Sequence, residues 1–413
     1  MTNGLSNRGR RLVASPPLAE YIHENFARAD DRCHPFTNPD GYVSMCIAEN
    51  KLTWDLLEPK MAASRSVPSR VAGYDTMIGA APFREELARF MGRTFLGRPI
   101  DPAHVAVLSG AGSVLELLFY AICDAGDGVL VPTPSYAGFW ADLETRDELT
   151  IVPVHCRSED GFRLTREGLD AALDGAGRPV TALLFTTPNN PLGRVYTRNE
   201  IEAVLLWAEE RSIHVVFDEI YALSVFGDSS FVSVASLRPS LGDNVHVVWA
   251  FSKDFAVSGL RCGVLVTENE VVLEAVDHLA YWACCSGYTQ EMLRQMIADD
   301  EWVDEYLVEN RRRLGDAYAT TTAALDAIGI PYLPGEAGFF VLCDMRPFMS
   351  EVTWEAEHAL WRRLLEEANV NLTPGSACRI GEPGFMRLCF TGEQTESVKI
   401  GLERVGRVLA GGG

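Results

Sequence analysis

Lysine is scarce in this chain of 413 residues. It occurs four times, and arginine supplies the rest of the 36 basic residues. Cysteine occurs ten times without any C-x-x-C pair, and the histidines lack metal-ligand spacing, so we expect free thiols and no metal site. Thiols without a disulfide framework are typical of a reducing cytosol.

Long hydrophobic runs are also missing. No run is long enough to cross a bilayer, and the polar, basic start at residues 1–11 leads into no apolar signal core. The formal net charge of −21 argues against nucleic acid or an anionic membrane surface as a partner. We therefore expect a cytoplasmic protein that acts on small molecules.

The chain exceeds the length at which one hydrophobic core stops growing, so we expect two domains. Short apolar runs alternate with amphipathic stretches through the middle of the chain, which is typical of an α/β domain with a mostly parallel sheet. The predicted strands are residues 105–108, 128–132, 150–155, 182–186, 214–218, 245–251 and 263–267. The predicted helices between them include residues 114–123, 136–144 and 198–211.

From about residue 304 the pattern changes. A long helical stretch at 303–328 precedes residues 332–343, a helix at 354–368 and a strand at 384–390. This order predicts a smaller α+β domain. We expect the chain before residue 40 to pack with it.

Lys253 is the first candidate for covalent chemistry. It follows an apolar strand and precedes a Gly-Leu-Arg turn, which is a poor place for a solvated surface charge. A desolvated lysine amine near other cations loses its proton easily and can form a Schiff base.

Two further candidates are charged residues at strand ends or within strands. Asp218 opens D-E-I-Y at 218–221 after a predicted strand, and a buried acid there usually faces a cation. A helix N-cap is an equally good interpretation of Asp218. Arg387 lies inside the apolar strand G-F-M-R-L-C-F at 384–390, where a bidentate carboxylate is its natural partner.

Two loops complete the set. S-G-A-G-S at 109–113 follows a strand and opens a helix, so its backbone N–H groups can approach a phosphate, although it has neither G-x-G-x-x-G nor Walker spacing. T-P-N-N-P-L-G at 187–193 is by itself a turn signal.

The order of these elements along the chain resembles the fold-type I pyridoxal-phosphate enzymes, the class I/II aminotransferases. Within them, N-P-D-G at 38–41 and I-A-E-N-K-L at 47–52 resemble the 1-aminocyclopropane-1-carboxylate (ACC) synthase-like branch. V-P-T-P-S-Y-A-G-F at 131–139, V-P-V-H-C at 152–156 and P-G-S at 374–376 add to this likeness. The resemblance extends from about residue 18 to 408.

The resemblance implies a role for each candidate residue. Lys253 would form the Schiff base with pyridoxal 5'-phosphate and then move the Cα proton. Asp218 would keep the pyridine nitrogen protonated, Tyr221 and Asn190 would bind the phenolate oxygen, and Tyr136 would stack on the ring.

The remaining roles concern the phosphate, the substrate and the assembly. Arg261, Ala111, Gly112 and Ser252 would hold the phosphate, and Arg387 would bind the substrate carboxylate. Tyr74 would reach the phosphate of a neighbouring subunit in a homodimer. The implied division is an N-terminal segment at 1–40, a large cofactor-binding domain at 41–304 and a small domain at 305–413.

The reaction has several interpretations. Glu49 matches a glutamate that lies beside the substrate in the synthase branch, although an acid at a helix start before residues 51–57 is nearly as good an interpretation. The chain departs from the family at Ala250 and Gly112, where phosphate-binding hydroxyls are common. Three interpretations are open. The chain could be a lyase that acts on S-adenosylmethionine or a cysteine S-conjugate by C–S cleavage or decarboxylation. It could instead be an aminotransferase that uses a 2-oxo acid, or a catalytically silent binding protein. Residues 43–45, Trp140 and Phe339 are the expected pocket walls.

Overall fold

The structure is a computed structural model and describes residues 4–411. The strands within this range are β1 (Val43–Ser44), β2 (Val105–Leu108), β3 (Gly128–Thr133), β4 (Thr150–His155), β5 (Val180–Thr186), β6 (His214–Asp218), β7 (Val245–Ala250), β8 (Gly263–Thr267), β9 (Tyr332–Leu333), β10 (Phe340–Asp344), β11 (Val370–Asn371), β12 (Thr373–Pro374) and β13 (Phe385–Cys389).

The helices of residues 4–411 cover the sheets and link their strands. They are α1 (Asn7–Ala14), α2 (Glu20–Ala27), α3 (Trp54–Ala63), α4 (Ala81–Met91), α5 (Ala111–Ile122), α6 (Phe139–Glu144), α7 (Arg166–Gly175), α8 (Arg198–Glu209), α9 (Phe251–Asp254), α10 (Glu270–Leu279), α11 (Gly287–Ile297), α12 (Asp300–Ala327), α13 (Trp354–Glu367) and α14 (Thr395–Ala410). No helix of this part of the chain is both long enough and apolar enough to span a bilayer.

The large sheet has seven strands in the order β2-β8-β7-β6-β5-β3-β4. All neighbours pair in parallel except β8, which runs antiparallel to both β2 and β7. Along β6, Val215 and Phe217 join one buried cluster while Val216 joins the cluster on the opposite face. Both faces of the sheet are therefore covered, as in α/β domains. The predicted mostly parallel seven-stranded sheet is confirmed.

A second core forms around a four-stranded antiparallel sheet in the order β12-β13-β10-β9. The N-terminal segment joins it, because β1 pairs in parallel with β11 and Tyr42 and Ala48 belong to the same buried cluster. Helix α12 connects the two cores: Val303 packs in the first and Leu314 in the second. We propose that the chain forms a large and a small domain. The N-terminal segment contributes to the smaller core as far as Ala48, which is further than the expected boundary at residue 40.

Most predicted elements shift only at their ends. Phe251 starts α9 instead of ending the strand predicted at 245–251. The helix predicted from residue 136 begins at Phe139, because the N–H of Ser135 bonds the carbonyl of Cys378 (2.9 Å) and holds the preceding loop against the smaller domain. Helix α5 begins at Ala111, three residues before the predicted start at residue 114, and ends at Ile122.

Candidate functional site

Several of the candidate residues collect at the carboxyl edge of the large sheet. Asp218 is the last residue of β6, and Lys253 lies in the short helix α9 that follows β7 directly. The loop before α5 follows β2, which points the same way. Because parallel strands end at one edge of a sheet, residues distant in sequence meet there.

Lys253 is held against the N-terminal segment. Its Nζ donates a hydrogen bond to the carbonyl of Ala48 at 2.5 Å. Burial lowers the pKa of the Lys253 amine to about 8, although Cys389, Glu49 and Asp218 nearby partly offset this effect. The lowered pKa increases the neutral fraction of the amine at physiological pH relative to an ordinary lysine, and the neutral amine is the nucleophilic form.

Asp218 is 5% exposed, and burial raises the pKa of its carboxyl to about 7. Its Oδ1 accepts a hydrogen bond from the N–H of Ile220 at 3.3 Å. No α-helix begins at this residue, so the N-cap interpretation is wrong. A buried carboxyl with few partners is suited to binding a cation or a protonated ring nitrogen.

A cradle of small residues lies at the start of α5. A Cβ on Gly110 would lie 2.7 Å from Cζ of Arg261, and one on Gly263 would lie 2.7 Å from the N of Ala111. Gly110 has a φ of 91°, which other residues rarely adopt. The first N–H groups of α5 have no helical partners, and the Arg261 guanidinium lies beside them, so the cradle can hold a phosphate.

Gly112 and Ser252 have different surroundings in this region. A Cβ on Gly112 would meet Oδ1 of Asp142 at an ordinary 3.6 Å. Ser252 is buried within α9, directly before Lys253. The position three residues before the lysine, Ala250, ends β7 and offers no side-chain donor.

Tyr136 stands at the surface of the site. Its ring is 39% exposed and meets Phe139 edge to face, with 5.3 Å between ring centroids. A Cβ on Gly138 would lie 2.5 Å from Cζ of Tyr136, so the glycine leaves room for the ring. The exposed face can stack on a planar ligand.

Tyr221 is more buried than Tyr136. It packs edge to face against Phe339 and Phe340, at centroid distances of 5.4 and 5.3 Å. Burial raises the pKa of its hydroxyl well above the usual range. Tyr221 therefore stays a hydrogen-bond donor at physiological pH.

Arg387 lies in the middle of β13 and is 2% exposed. Its Nη1 donates to Oδ1 of Asn190 at 3.0 Å, and its Nη2 donates to the carbonyl of Cys46 at 2.6 Å and to Oγ1 of Thr373 at 3.0 Å. Its Nε has no partner within residues 4–411. The guanidinium is thus fixed in orientation with a donor left over, which suits a carboxylate ligand.

Glu49 lies in an irregular segment between β1 and α3, and its carboxylate accepts from Oγ of Ser258 at 3.4 Å. The helix-start interpretation is wrong, because α3 begins at Trp54 with Thr53 as its N-cap. Glu49 is near enough to Lys253 to raise the pKa of the lysine, a smaller effect than that of burial. The carboxylate thus lies in the neighbourhood of the reactive amine without a direct ion pair to it within residues 4–411.

Tyr74 stands apart from these residues. It is 98% exposed in the loop after residue 72, so a single chain does not bring it into the cluster. Of the expected pocket walls, Phe339 contacts Tyr221, whereas Val43 and Met45 are fully buried by the smaller core and Trp140 lies outside the cluster. Residues 4–411 contain no group of His, Cys, Asp and Glu arranged to hold a metal ion.

Sequence reasoning missed the Cys46 and Ala48 carbonyls, Thr373 and Gly263. The first three act through long-range contacts that no local pattern records. Gly263 carried a readable signal, since a glycine two residues after Arg261 and opening a strand indicates close backbone approach.

The donor set fits pyridoxal phosphate. A glycine-lined cradle beside a guanidinium, a buried carboxyl, an aromatic ring and an amine with a lowered pKa lie at one edge of the sheet. A second guanidinium, that of Arg387, has an unpartnered N–H within residues 4–411. These are the groups that a phosphorylated, cationic ring aldehyde and an amino acid require.

Comparison with known proteins agrees with this geometry. The family Aminotransferase class I and II matches residues 43–405. The chain is 34% identical over 390 residues to 1-aminocyclopropane-1-carboxylate synthase 6 of Arabidopsis thaliana, covering 90% of this chain and 79% of that protein. It is 36% identical over 392 residues to 1-aminocyclopropane-1-carboxylate synthase of Glycine max, covering 90% and 81%.

Solved structures show the same fold at lower identity. Aspartate aminotransferase from Thermus thermophilus with maleate superimposes with a TM-score of 0.81 at 24% identity, covering 98% of this chain and 99% of that one. Pyrococcus protein-A1 gives a TM-score of 0.84 at 22% identity, with the same coverage. The chain therefore belongs to the class I and II aminotransferases, as a pyridoxal-phosphate-dependent enzyme of fold type I related to ACC synthases.

Proposed function

We propose that this enzyme is a lyase of the ACC synthase-like branch acting on a sulfur-containing amino acid, S-adenosylmethionine or a cysteine S-conjugate. The observation that carries the proposal is Glu49, whose carboxylate accepts from Ser258 and lies near enough to Lys253 to raise the pKa of the amine. An acid beside the reactive amine can stabilise positive charge near the substrate's side chain or hold a proton during C–S cleavage. The identity of 34–36% to ACC synthases supports the branch.

On the cofactor side, the bound cofactor supplies a conjugated ring that accepts electrons when a bond to Cα breaks. Lys253 would hold the cofactor and carry the proton at Cα. Asp218 would hold the proton on the ring nitrogen, and Tyr221 with Asn190 would donate to the ring oxygen. Tyr136 would stack on the ring, while Arg261, Ala111, Gly112 and Ser252 would hold the phosphate.

On the substrate side, Arg387 binds the α-carboxylate through its fixed fork. This contact orients the amino acid and therefore decides which bond at Cα stands perpendicular to the ring. The exposure of Tyr74 is consistent with a homodimer in which it reaches the phosphate of the neighbouring site.

The test is turnover with amino acid alone. A lyase continues through many cycles on S-adenosylmethionine or a cysteine S-conjugate and releases product in large excess over enzyme. An aminotransferase stops after about one equivalent per subunit and resumes when a 2-oxo acid is added. A protein that only binds gives a change in cofactor absorbance and no product in either condition.

A further inference from the structure

Ser258 contacts both an arginine of the phosphate cradle and the acid of the substrate side. It opens the turn Ser258–Leu260, which follows α9. Its hydroxyl donates to Oε1 of Glu49 at 3.4 Å, and its carbonyl accepts from Nη1 of Arg261 at 3.0 Å. One residue of the large domain therefore links two side chains that serve different ends of the site.

Arg261 depends on the backbone of Ser258 and not on its side chain. The φ of Arg261 is 49°, in the left-handed region that residues other than glycine seldom occupy, and its N–H points back to the Ser258 carbonyl at 3.4 Å. The guanidinium bonds the same carbonyl and lies beside Gly110. Removing the serine hydroxyl therefore leaves the contacts of Arg261 in place.

The Glu49 carboxylate, in contrast, depends on that hydroxyl. The backbone of Glu49 is anchored to the smaller core, because its carbonyl accepts from Oγ1 of Thr391 and from the thiol of Cys389 at 3.8 Å. Within residues 4–411 its carboxylate forms no ion pair, and Ser258 is its one hydrogen-bond donor. The residue is half-buried, so without the serine hydroxyl the carboxylate is free to turn toward water, which solvates its charge.

Lys253 contacts the neighbouring residue of the same segment, since its amine donates to the carbonyl of Ala48 at 2.5 Å. This contact uses the amine that would bind the cofactor, whereas the contact of Ser258 with Glu49 does not. The serine contact can therefore persist between the N-terminal segment and the turn after α9 when the cofactor is bound.

We propose that Ser258 is a positioning residue whose hydroxyl fixes the Glu49 carboxylate near Lys253 during the reaction. The inference rests on the proposed function, in which Glu49 acts at the substrate, and deepens it by naming the group that sets where this acid lies. Ser258 acts through Glu49. A hydrogen bond to a charged acceptor is strong enough to favour one position of the acid over its solvated alternatives.

The experiment is a double-mutant cycle of Ser258→Ala and Glu49→Ala, with kcat/KM for the sulfur-containing amino acid measured in all four proteins. In the presence of Glu49, Ser258→Ala should lower kcat/KM about 3–10-fold, as the loss of one hydrogen bond implies. In the Glu49→Ala background the same change should have no further effect, because no carboxylate is left to hold. Ser258→Thr keeps a hydroxyl and should restore most of the rate.

A second measurement does not depend on turnover. A carboxylate near the lysine-bound cofactor favours its protonated form, so the visible absorbance band titrates at a higher pH. Glu49→Ala should lower that midpoint, and Ser258→Ala should lower it by a smaller amount, but not when residue 49 is already alanine. The other groups whose charges act on Lys253 are unchanged by these substitutions: Cys389, Arg387 and Asp218. The dissociation constant for pyridoxal phosphate should stay within about twofold, since the Ser258 carbonyl still holds Arg261.

Ser236→Ala is the matched control, because the hydroxyl of Ser236 donates to the carbonyl of Ser233 at 2.8 Å within its own turn. It should change neither measurement. The inference is overturned if Ser258→Ala has the same effect with and without Glu49, if it changes neither the rate nor the midpoint, or if it weakens cofactor binding about tenfold. If the wild type turns over no sulfur-containing amino acid, the proposed function fails, while titration of the band still tests the contact between Ser258 and Glu49.

Discussion

The cofactor half and the substrate half of the site are built in different ways. The cofactor half comprises Gly110, Ala111, Gly112, Asp218, Lys253 and Arg261. The substrate half comprises Ala48, Glu49, Thr373 and Arg387. Each residue of the first set lies within a few positions of a strand end in one sheet, whereas the second set joins the N-terminal segment to the smaller domain.

This difference separates the residues that hold the cofactor from the residues that select the substrate. Residues on the rigid strand ends need only local geometry to hold the cofactor, so they suit the part of the reaction that any substrate shares. Residues carried by the smaller core and the N-terminal segment can move relative to the sheet, so they suit the part of the reaction that varies with the substrate. Lys253 touches both halves, because its amine reaches the carbonyl of Ala48.

The largest expected effect comes from the residue that joins the halves. Lys253→Ala removes the amine that holds the cofactor and carries the proton, so turnover should fall by at least the roughly 10²–10⁴-fold that one acid–base group contributes. The visible absorbance of the lysine-bound cofactor should vanish as well. Lys399→Ala, an exposed lysine on α14, is the control and should change neither. Persistence of both band and turnover in Lys253→Ala would refute the assignment.

Asp218→Asn tests the cofactor half alone. The amide cannot hold the ring proton through charge, and breaking a buried ion pair costs about 3–5 kcal/mol, so kcat should fall on the order of 10²–10³-fold with little change in KM. Steady-state kinetics with a saturating cofactor concentration measure kcat and KM for the wild type and the variant.

Glu219→Gln is the matched control for Asp218→Asn. Glu219 is the adjacent buried acid, burial raises its pKa to about 8, and its Oε1 accepts from the N–H of Val234 at 2.9 Å, away from the site. Its carboxyl is largely protonated at neutral pH, so the amide is a close replacement and kcat should stay within about twofold. Equal losses in both variants would mean that burial, not the ring proton, explains the effect.

Arg387→Lys tests the substrate half. Lysine keeps the charge but loses the fork, and a hydrogen bond to a charged group contributes about 1.5–3 kcal/mol, so KM for the amino acid should rise roughly 10–100-fold. The affinity for the cofactor should not change. Arg404→Lys, another buried arginine, which donates to the carbonyl of Gly41 at 2.8 Å, should lower the free energy of unfolding without raising KM. A comparable rise in KM in Arg404→Lys would show that Arg387 acts only through stability.

The two halves also differ in how far the sequence predicts them. Asp218 and Lys253 could be recognised because a charged residue directly after an apolar strand is a local pattern. The partners of Arg387 could not, because Cys46, Asn190 and Thr373 lie far apart in sequence and meet only when the domains pack. Glu49 shows the same limit: its sequence fits a helix start, yet packing leaves it outside α3 and beside Ser258.

The smallest expected effect concerns two neighbouring glycines of the cofactor half that have different surroundings. Alanine at Gly110 would place its Cβ 2.7 Å from Cζ of Arg261 and force a φ of 91° that only glycine adopts readily. Strain of this kind costs on the order of 1–3 kcal/mol, so the dissociation constant for pyridoxal phosphate should rise about tenfold in Gly110→Ala. Alanine at Gly112 makes an ordinary contact of 3.6 Å with Asp142 inside a helix, so Gly112→Ala should leave that constant within about twofold and the melting temperature unchanged or higher. Absorbance titration of the cofactor-free protein measures both variants. Equal weakening would mean that the methyl group added at Gly112 meets the phosphate itself, so that strain at Gly110 would not explain the loss and the amide of Gly112 would be the closer contact.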